Sequence, residues 1–155
     1  MIETNLSTGI NIIREHVKTA PSAPGVYRML DKHGDVLYVG KAKSINKRIV
    51  SYTQVNRLTI RHQRMVARTV SMVFVTTRTE GEALLLEASL IKRFKPQYNI
   101  LLKDDKSFPY ILLRDHEWSQ ITKHRGRRKH KGQYFGPFAN VSSVNRTLNT
   151  LQKVF

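Results

Sequence analysis

Apolar residues at Ile10, Ile13 and Val17 recur at helical spacing behind Ser7 and Thr8, either of which can cap a helix running to about Ala20. Pro21 and Pro24 end it. The period then changes. Gly25 to Met29 and Val36 to Gly40 read as two strands joined by a turn at Asp31 to Gly34, a β-hairpin. Short helices are expected from Ser44 to about Tyr52 and from Arg57 to Thr69. Met72 to Val75 is a continuous apolar run, the pattern of a strand covered on both faces. Thr79-Glu80-Gly81-Glu82 is a capping box, in which the Thr hydroxyl and the Glu three residues on satisfy free amides. The helix it opens runs to about Phe94, before Pro96. Further on, Tyr110 to Leu113 predicts a strand, Lys123 to Gln133 a basic loop or hairpin turn, and Val141 to Val154 a final helix.

Composition narrows the class. A length of 155 residues with 40% hydrophobic content suits one packed domain, or one domain and a short appendage. No run approaches the ~20 apolar residues of a membrane-spanning helix, and no basic-then-apolar leader opens the chain. The absence of cysteine excludes disulfides, thiolate zinc sites and cysteine nucleophiles. A cytoplasmic protein is expected.

Charge changes the picture more. Lys and Arg number 27 against 11 acids, a net charge of +16. From Val36 to Thr79, and again from Trp118 to Phe155, there is no acid at all. A fold gains nothing from such self-repulsion, so a polyanionic partner is expected, nucleic acid first. An anionic membrane surface is second, and no basic amphipathic helix with an aromatic face supports it. The run His124 to Lys131 is biased enough to be mobile until something binds it.

Four constellations carry chemistry. Gly25-Val26-Tyr27 and Tyr38-Val39-Gly40 fall on the two hairpin strands, which can bring both phenols to one patch. Half-buried strand tyrosines are an equally ordinary explanation. Lys41 follows at once, and Arg48 and Tyr52 are four apart, which points cation and phenol together and away from Ile45 and Ile49. A guanidinium beside phenols suits a phosphate. Glu87 interrupts an apolar helical stripe between Leu84 and Ile91. A carboxylate on a core face needs a cation, a hydrogen-bond network or a metal. Arg57, Arg61, Arg64 and Arg68 are spaced four, three and four, a single helix face that a phosphate backbone would neutralise. The six histidines show no metal spacing, and no glycine-rich phosphate loop is present.

The order of these signals resembles the GIY-YIG nuclease family, with Val for Ile in both tripeptides. The stretches Glu80 to Glu87, Leu90 to Tyr110 and Tyr134 to Phe138 are similar to the excinuclease C branch of that family, and the resemblance runs from about Pro21 to Phe155. It implies an α+β fold, a small three-stranded antiparallel sheet flanked by helices. The implied division is an N-terminal helix (1–20), a nuclease domain (21–103) and a short basic extension (104–155). It also implies roles. Tyr27 and Tyr38 would be the motif tyrosines, one helping to activate water. Lys41 would lower that phenol's pKa or hold the water, Arg48 would brace the scissile phosphate, and Tyr52 and Asn99 would complete the hydrogen-bond shell. Glu87 would be the sole protein ligand of one Mg²⁺ or Mn²⁺ ion.

The implied activity is metal-dependent endonucleolytic cleavage of DNA beside a lesion in excision repair, on the 3' side. Lys43, Lys47, the four arginines, Arg127, Arg128 and Lys129 would bind the backbone. The implied partners are lesion-bearing duplex DNA and, outside this stretch, the damage-recognition B subunit; no membrane and no small-molecule cofactor are expected. The final helix has no stop signal before Phe155, so a longer parent chain is expected. A stand-alone or mobile-element nuclease of the same family, and a non-catalytic basic nucleic-acid-binding domain, remain as alternatives.

Overall fold

Asn5, rather than Ser7 or Thr8, caps the first helix, α1 (Leu6–Thr19), by accepting the Thr8 amide. The computed structural model describes residues 5–100, 108–115 and 120–153. After α1 the chain enters β1 (Gly25–Leu30), which pairs antiparallel with β2 (Val36–Ala42) on one side and β3 (Ser71–Thr76) on the other. The sheet order is β2-β1-β3. The hairpin turn is tied by Asp31, whose carboxylate accepts the amides of His33 at 2.8 Å and Asp35 at 3.0 Å. Gly34 supplies the positive φ of 80° that this turn needs.

Alternation along the strands gives the sheet two covered faces. Tyr27 and Met29 face α1, α2 (Ile45–Val50) and α3 (Ile60–Arg68), in a core with Ile13, Ile49 and Met65. Val26 and Val39 face α4 (Glu80–Phe94), in a smaller core with Ala83, Leu86 and Leu90. Full burial of each such aliphatic side chain contributes roughly 1.5–3 kcal/mol. The capping box forms in part: Thr79 accepts the Glu82 amide, while the Glu82 carboxylate accepts the amide of Arg78, one residue ahead of the cap.

Two expectations fail here. β3 is an edge strand whose Val75 is 38% exposed, so the apolar run is not covered on both faces. Arg57 lies in a 3-10 turn (Val55–Arg57) ahead of α3, so the four arginines do not share one helix.

The described residues from 108 onward carry a second sheet and a helix. β4 (Tyr110–Arg114) is the centre of a second antiparallel sheet, between β5 (Gln120–His124) and β6 (Gly132–Phe135). The basic loop expected from Lys123 to Gln133 is therefore strand at both ends. Its flanking strands do not pair with each other; both pair with β4. α5 (Val141–Gln152), capped by Asn140, packs Val144, Leu148 and Leu151 against Ile111, Ile121 and Leu84. α4 thus serves both sheets. The boundary expected at 103–104, and Val154 as a helix end, lie outside the described residues.

Candidate functional site

Tyr27 lies across Gly40, its register partner on β2. A Cβ on Gly40 would meet the Tyr27 ring and hydroxyl at 2.3 Å, so the glycine of the second tripeptide makes room for the tyrosine of the first. The Tyr27 and Tyr52 hydroxyls are hydrogen-bonded at 2.7 Å. The Tyr38 ring centroid is 6.1 Å from that of Tyr27 and 6.4 Å from that of Tyr52. Three phenols therefore form one cluster, in which Tyr27 and Tyr52 are buried and Tyr38 is half-buried.

Arg48 covers this cluster. Its guanidinium sits 5.2 Å from the Tyr52 ring centroid, in cation–π range, and donates to Ser51 Oγ at 2.8 Å. The expected pairing of Arg48 with Tyr52 holds, but the direction does not. α2 ends at Val50, and a 3-10 turn (Ser51–Thr53) swings Tyr52 into the same core as Ile45 and Ile49. Burial pushes the Tyr27 phenol well above its ordinary range, the neighbouring phenols add to this, and Arg48 opposes it. Burial, Tyr52 and the charge of Glu87 push Tyr38 up in the same way. Both phenols are neutral in the free protein.

Lys41 is half-buried near the end of β2. Its ammonium is paired with Glu80 Oε1 at 3.4 Å, and that carboxylate also lies 3.9 Å from Lys43. His62, which carried no signal in the sequence, also lies near the phenols. Its ring centroid is 6.3 Å from that of Tyr38 and 6.1 Å from that of Tyr52. Burial, with Arg48 and Arg61, holds its imidazole below the usual range.

Asn99 makes two hydrogen bonds to the backbone of β2. Its side-chain oxygen accepts the Val39 amide and its nitrogen donates to the Val39 carbonyl, both at 2.9 Å. The Tyr98 amide donates to Leu37 O at 3.0 Å. The segment thus continues the hydrogen-bond ladder along the open edge of β2, and Asn99 ties the backbone of the second tripeptide. Two of the arginines hold this segment down. Arg61 and Arg68 lie 5.1 and 5.8 Å from the Tyr98 ring centroid. Arg61 donates to Gln97 O at 2.9 Å, and Arg68 to Gln97 Oε1 at 2.7 Å and to Asp31 at 3.5 Å. Arg57 and Arg64 are exposed, as are Lys43 and Lys47. Arg127, Arg128 and Lys129 are exposed on the second module, where Arg128 packs over Tyr110 and Tyr134.

Glu87 is half-buried in the wall of a cavity of about 500 Å³ rather than packed in a core. Burial raises its carboxyl to about 7, opposed by the charge and the backbone amide of Lys41. Among the described residues no three His, Cys, Asp or Glu side chains cluster as a metal cage. A lone carboxylate fits a hard divalent cation that keeps most of its water, such as Mg²⁺, and not a dehydrated site such as structural zinc. Residues from the second module, Gly136 to Asn140 and Ser143, form the opposite wall.

Residues 23–100 match the family described as the UvrC-like GIY-YIG domain, and residues 108–155 match the UvrC/Cho excinuclease middle domain. The UvrABC system protein C of Paramagnetospirillum magneticum is 60% identical over 98% of this chain and 24% of its own length. That of Novosphingobium aromaticivorans is 61% identical over 97% of this chain and 23% of its own length. The chain therefore spans about a quarter of these curated relatives. A crystal structure of the GIY-YIG N-terminal endonuclease domain of UvrC from Thermotoga maritima, bound to magnesium as its catalytic divalent cation, matches 57% of this chain and 96% of that one. The sequence identity is 38% and the TM-score 0.52. Among the described residues no helix is long and apolar enough to cross a membrane. With half of its length matched by the family model and its first sheet, tyrosine cluster and Glu87 in place, the chain belongs to the UvrC-like GIY-YIG family.

Proposed function

We propose that the chain cuts one strand of duplex DNA by hydrolysis, using a single Mg²⁺ or Mn²⁺ ion held by Glu87. The observation that carries this reading is the Glu87 carboxylate in the wall of an open cavity, near enough for its charge to act on the Tyr38 phenol. A structural ion pair would hold a carboxylate below its ordinary range, so Glu87 is kept for a cation the protein itself does not supply. The magnesium carried by the Thermotoga domain supports the same choice of ion.

When bound, the ion supplies charge stabilisation to the phosphate and its leaving oxygen. The rest falls to side chains. Arg48 braces a non-bridging phosphate oxygen, and its fixed position over Tyr52 makes it a preorganised donor. Tyr38, the more open of the two motif phenols and neutral, orients the attacking water through its hydroxyl, and the water's proton passes to solvent. Tyr27, sealed under Gly40 and bonded to Tyr52, holds Tyr38 in place. Water attacks phosphorus in line, one P–O bond breaks, and the departing oxygen is protonated by solvent. Asn99 fixes β2, and with it the approach of Tyr38 and Lys41.

The biological setting proposed is nucleotide excision repair, in the cytoplasm, with lesion-bearing duplex as substrate, incision on the 3' side, and a damage-recognition B subunit as partner. The relatives named UvrABC system protein C support it. The test is nicking of a lesion-bearing duplex by the wild-type chain and by Glu87→Gln, with and without Mg²⁺. Metal-dependent nicking lost in the variant, with DNA binding kept, is the expected result. Binding without nicking by the wild type under Mg²⁺ and Mn²⁺ would favour a purely DNA-binding role.

A further inference from the structure

We propose that the cavity beside Glu87 is a pocket for one unstacked nucleotide of the cut strand, gripped between α4 and the segment that leads into α5. This rests on the nuclease reading above and adds a ligand site to it.

The cavity's volume of about 500 Å³ lies within the ~300–1,000 Å³ typical of small-ligand sites. That space holds a nucleotide but not a stacked duplex. Its floor is apolar, with Ile91 on one wall and Phe138 on the other. Among the described residues Lys41, Lys92 and Lys95 also line it, with Glu87 as the one acid. An apolar floor with three ammonium groups and a single carboxylate matches a base above a sugar-phosphate, with the phosphate beside Glu87. The cavity also opens at the residue proposed to hold the ion, so its occupant is a neighbour of the scissile bond.

Two modules are needed to build it. α4 alone offers an open helix face; Phe138, Ala139 and Ser143 close the other side. The second module thereby becomes part of substrate recognition rather than an appendage to the nuclease. The unstacking cost is lowest where a duplex is already distorted, so such a pocket would favour damaged DNA without reading the lesion itself.

The test uses the whole 155-residue chain with duplexes carrying one 2-aminopurine, moved position by position past the nick, and Ca²⁺ in place of Mg²⁺. A several-fold fluorescence rise at one position beside the nick is expected on binding. Ala139→Trp fills the cavity from an exposed position. It should abolish the rise and weaken binding about 10-fold, the scale of losing one stacked base. Replacing that nucleotide by an abasic one should bring wild type and variant to equal affinity. Lys92→Ala with Lys95→Ala, both exposed positions, should also suppress the rise. Fluorescence that stays flat at every position under saturating protein overturns the pocket, as does an Ala139→Trp defect of equal size on the abasic duplex. A wild-type chain that nicks under Mg²⁺ with a flat scan loses only the pocket; one that never nicks loses the nuclease reading.

Discussion

Asn99 holds Val39 by both ends of its amide, 60 residues away in sequence, with two bonds of 2.9 Å. This fixes the middle of the second tripeptide from outside the sheet. Asn99→Asp keeps the size but sets a carboxylate oxygen against the Val39 carbonyl, and should cost ~1–3 kcal/mol of stability. Hydrogen exchange is the informative readout. The Val39 amide should exchange faster in Asn99→Asp, and also in Arg68→Ala, which loosens the Gln97–Tyr98 support without touching β2. Unchanged Val39 exchange in Arg68→Ala would show that the arginine clamp does not act through Asn99.

Glu87 makes stability depend on pH in an unusual direction. Its folded-state pKa is about 7 against an ordinary value of 4.5. The folded state therefore binds more protons than the unfolded state between these values, and stability falls as pH rises through that window. Glu87→Gln should remove this slope, leaving the metal-free variant more stable than wild type at pH 8 by on the order of 2 kcal/mol, and little different at pH 4. Denaturant unfolding at both pH values checks it.

Lys41 and Arg48 should separate by what they titrate. The Lys41 charge lowers the Glu87 pKa, so Lys41→Ala should raise it. Metal binding requires the carboxylate, so its pH midpoint should move upward, as read by calorimetry with Mn²⁺. Arg48→Ala should leave that midpoint in place and slow nicking by at least ~100-fold, the scale for losing one preorganised donor.

The arginines divide into two pairs. Arg57, Arg61 and Arg64 are exposed, but Arg61, with the less exposed Arg68, is turned onto Gln97 and Tyr98. Replacing Arg57 and Arg64 with Ala should flatten the salt dependence of log affinity by about 0.9 per lost phosphate contact on duplex DNA. Arg61→Ala with Arg68→Ala should change it less and should lower the melting temperature instead. Equal slopes for the two double variants would restore a single arginine face.

Local signals were legible in the sequence because they depend on near neighbours. The hairpin, the Thr79 cap and the pairing of Arg48 with Tyr52 are each local in sequence, and each formed. The approach of Tyr27 to Tyr38 needed only the hairpin register. Helical spacing failed where a helix stopped short: the 3-10 turns at Ser51–Thr53 and Val55–Arg57 turned Tyr52 inward and cut Arg57 from its row. The remaining misses are long-range. Nothing near Lys41 announces Glu80, nothing near Asn99 announces Val39, and His62 reaches the phenols only because α3 packs under the sheet. The second sheet was hidden for another reason. β5 and β6 are short and polar, with Ile121 the one buried position of β5, so their alternation is faint against the surrounding charge.

α4 is claimed from two directions, by β1 and β2 on one side and by α5 and Ile111 on the other. Of its 15 residues, Ser89, Lys92 and Arg93 alone are exposed. Its apolar positions divide between the two cores, Leu84, Leu85 and Ala88 in one and Ala83, Leu86, Leu90 and Ile91 in the other. This helix is therefore where the chain has least freedom to drift, and a random-mutagenesis library selected for folding should return variation at those three positions and near-silence between them.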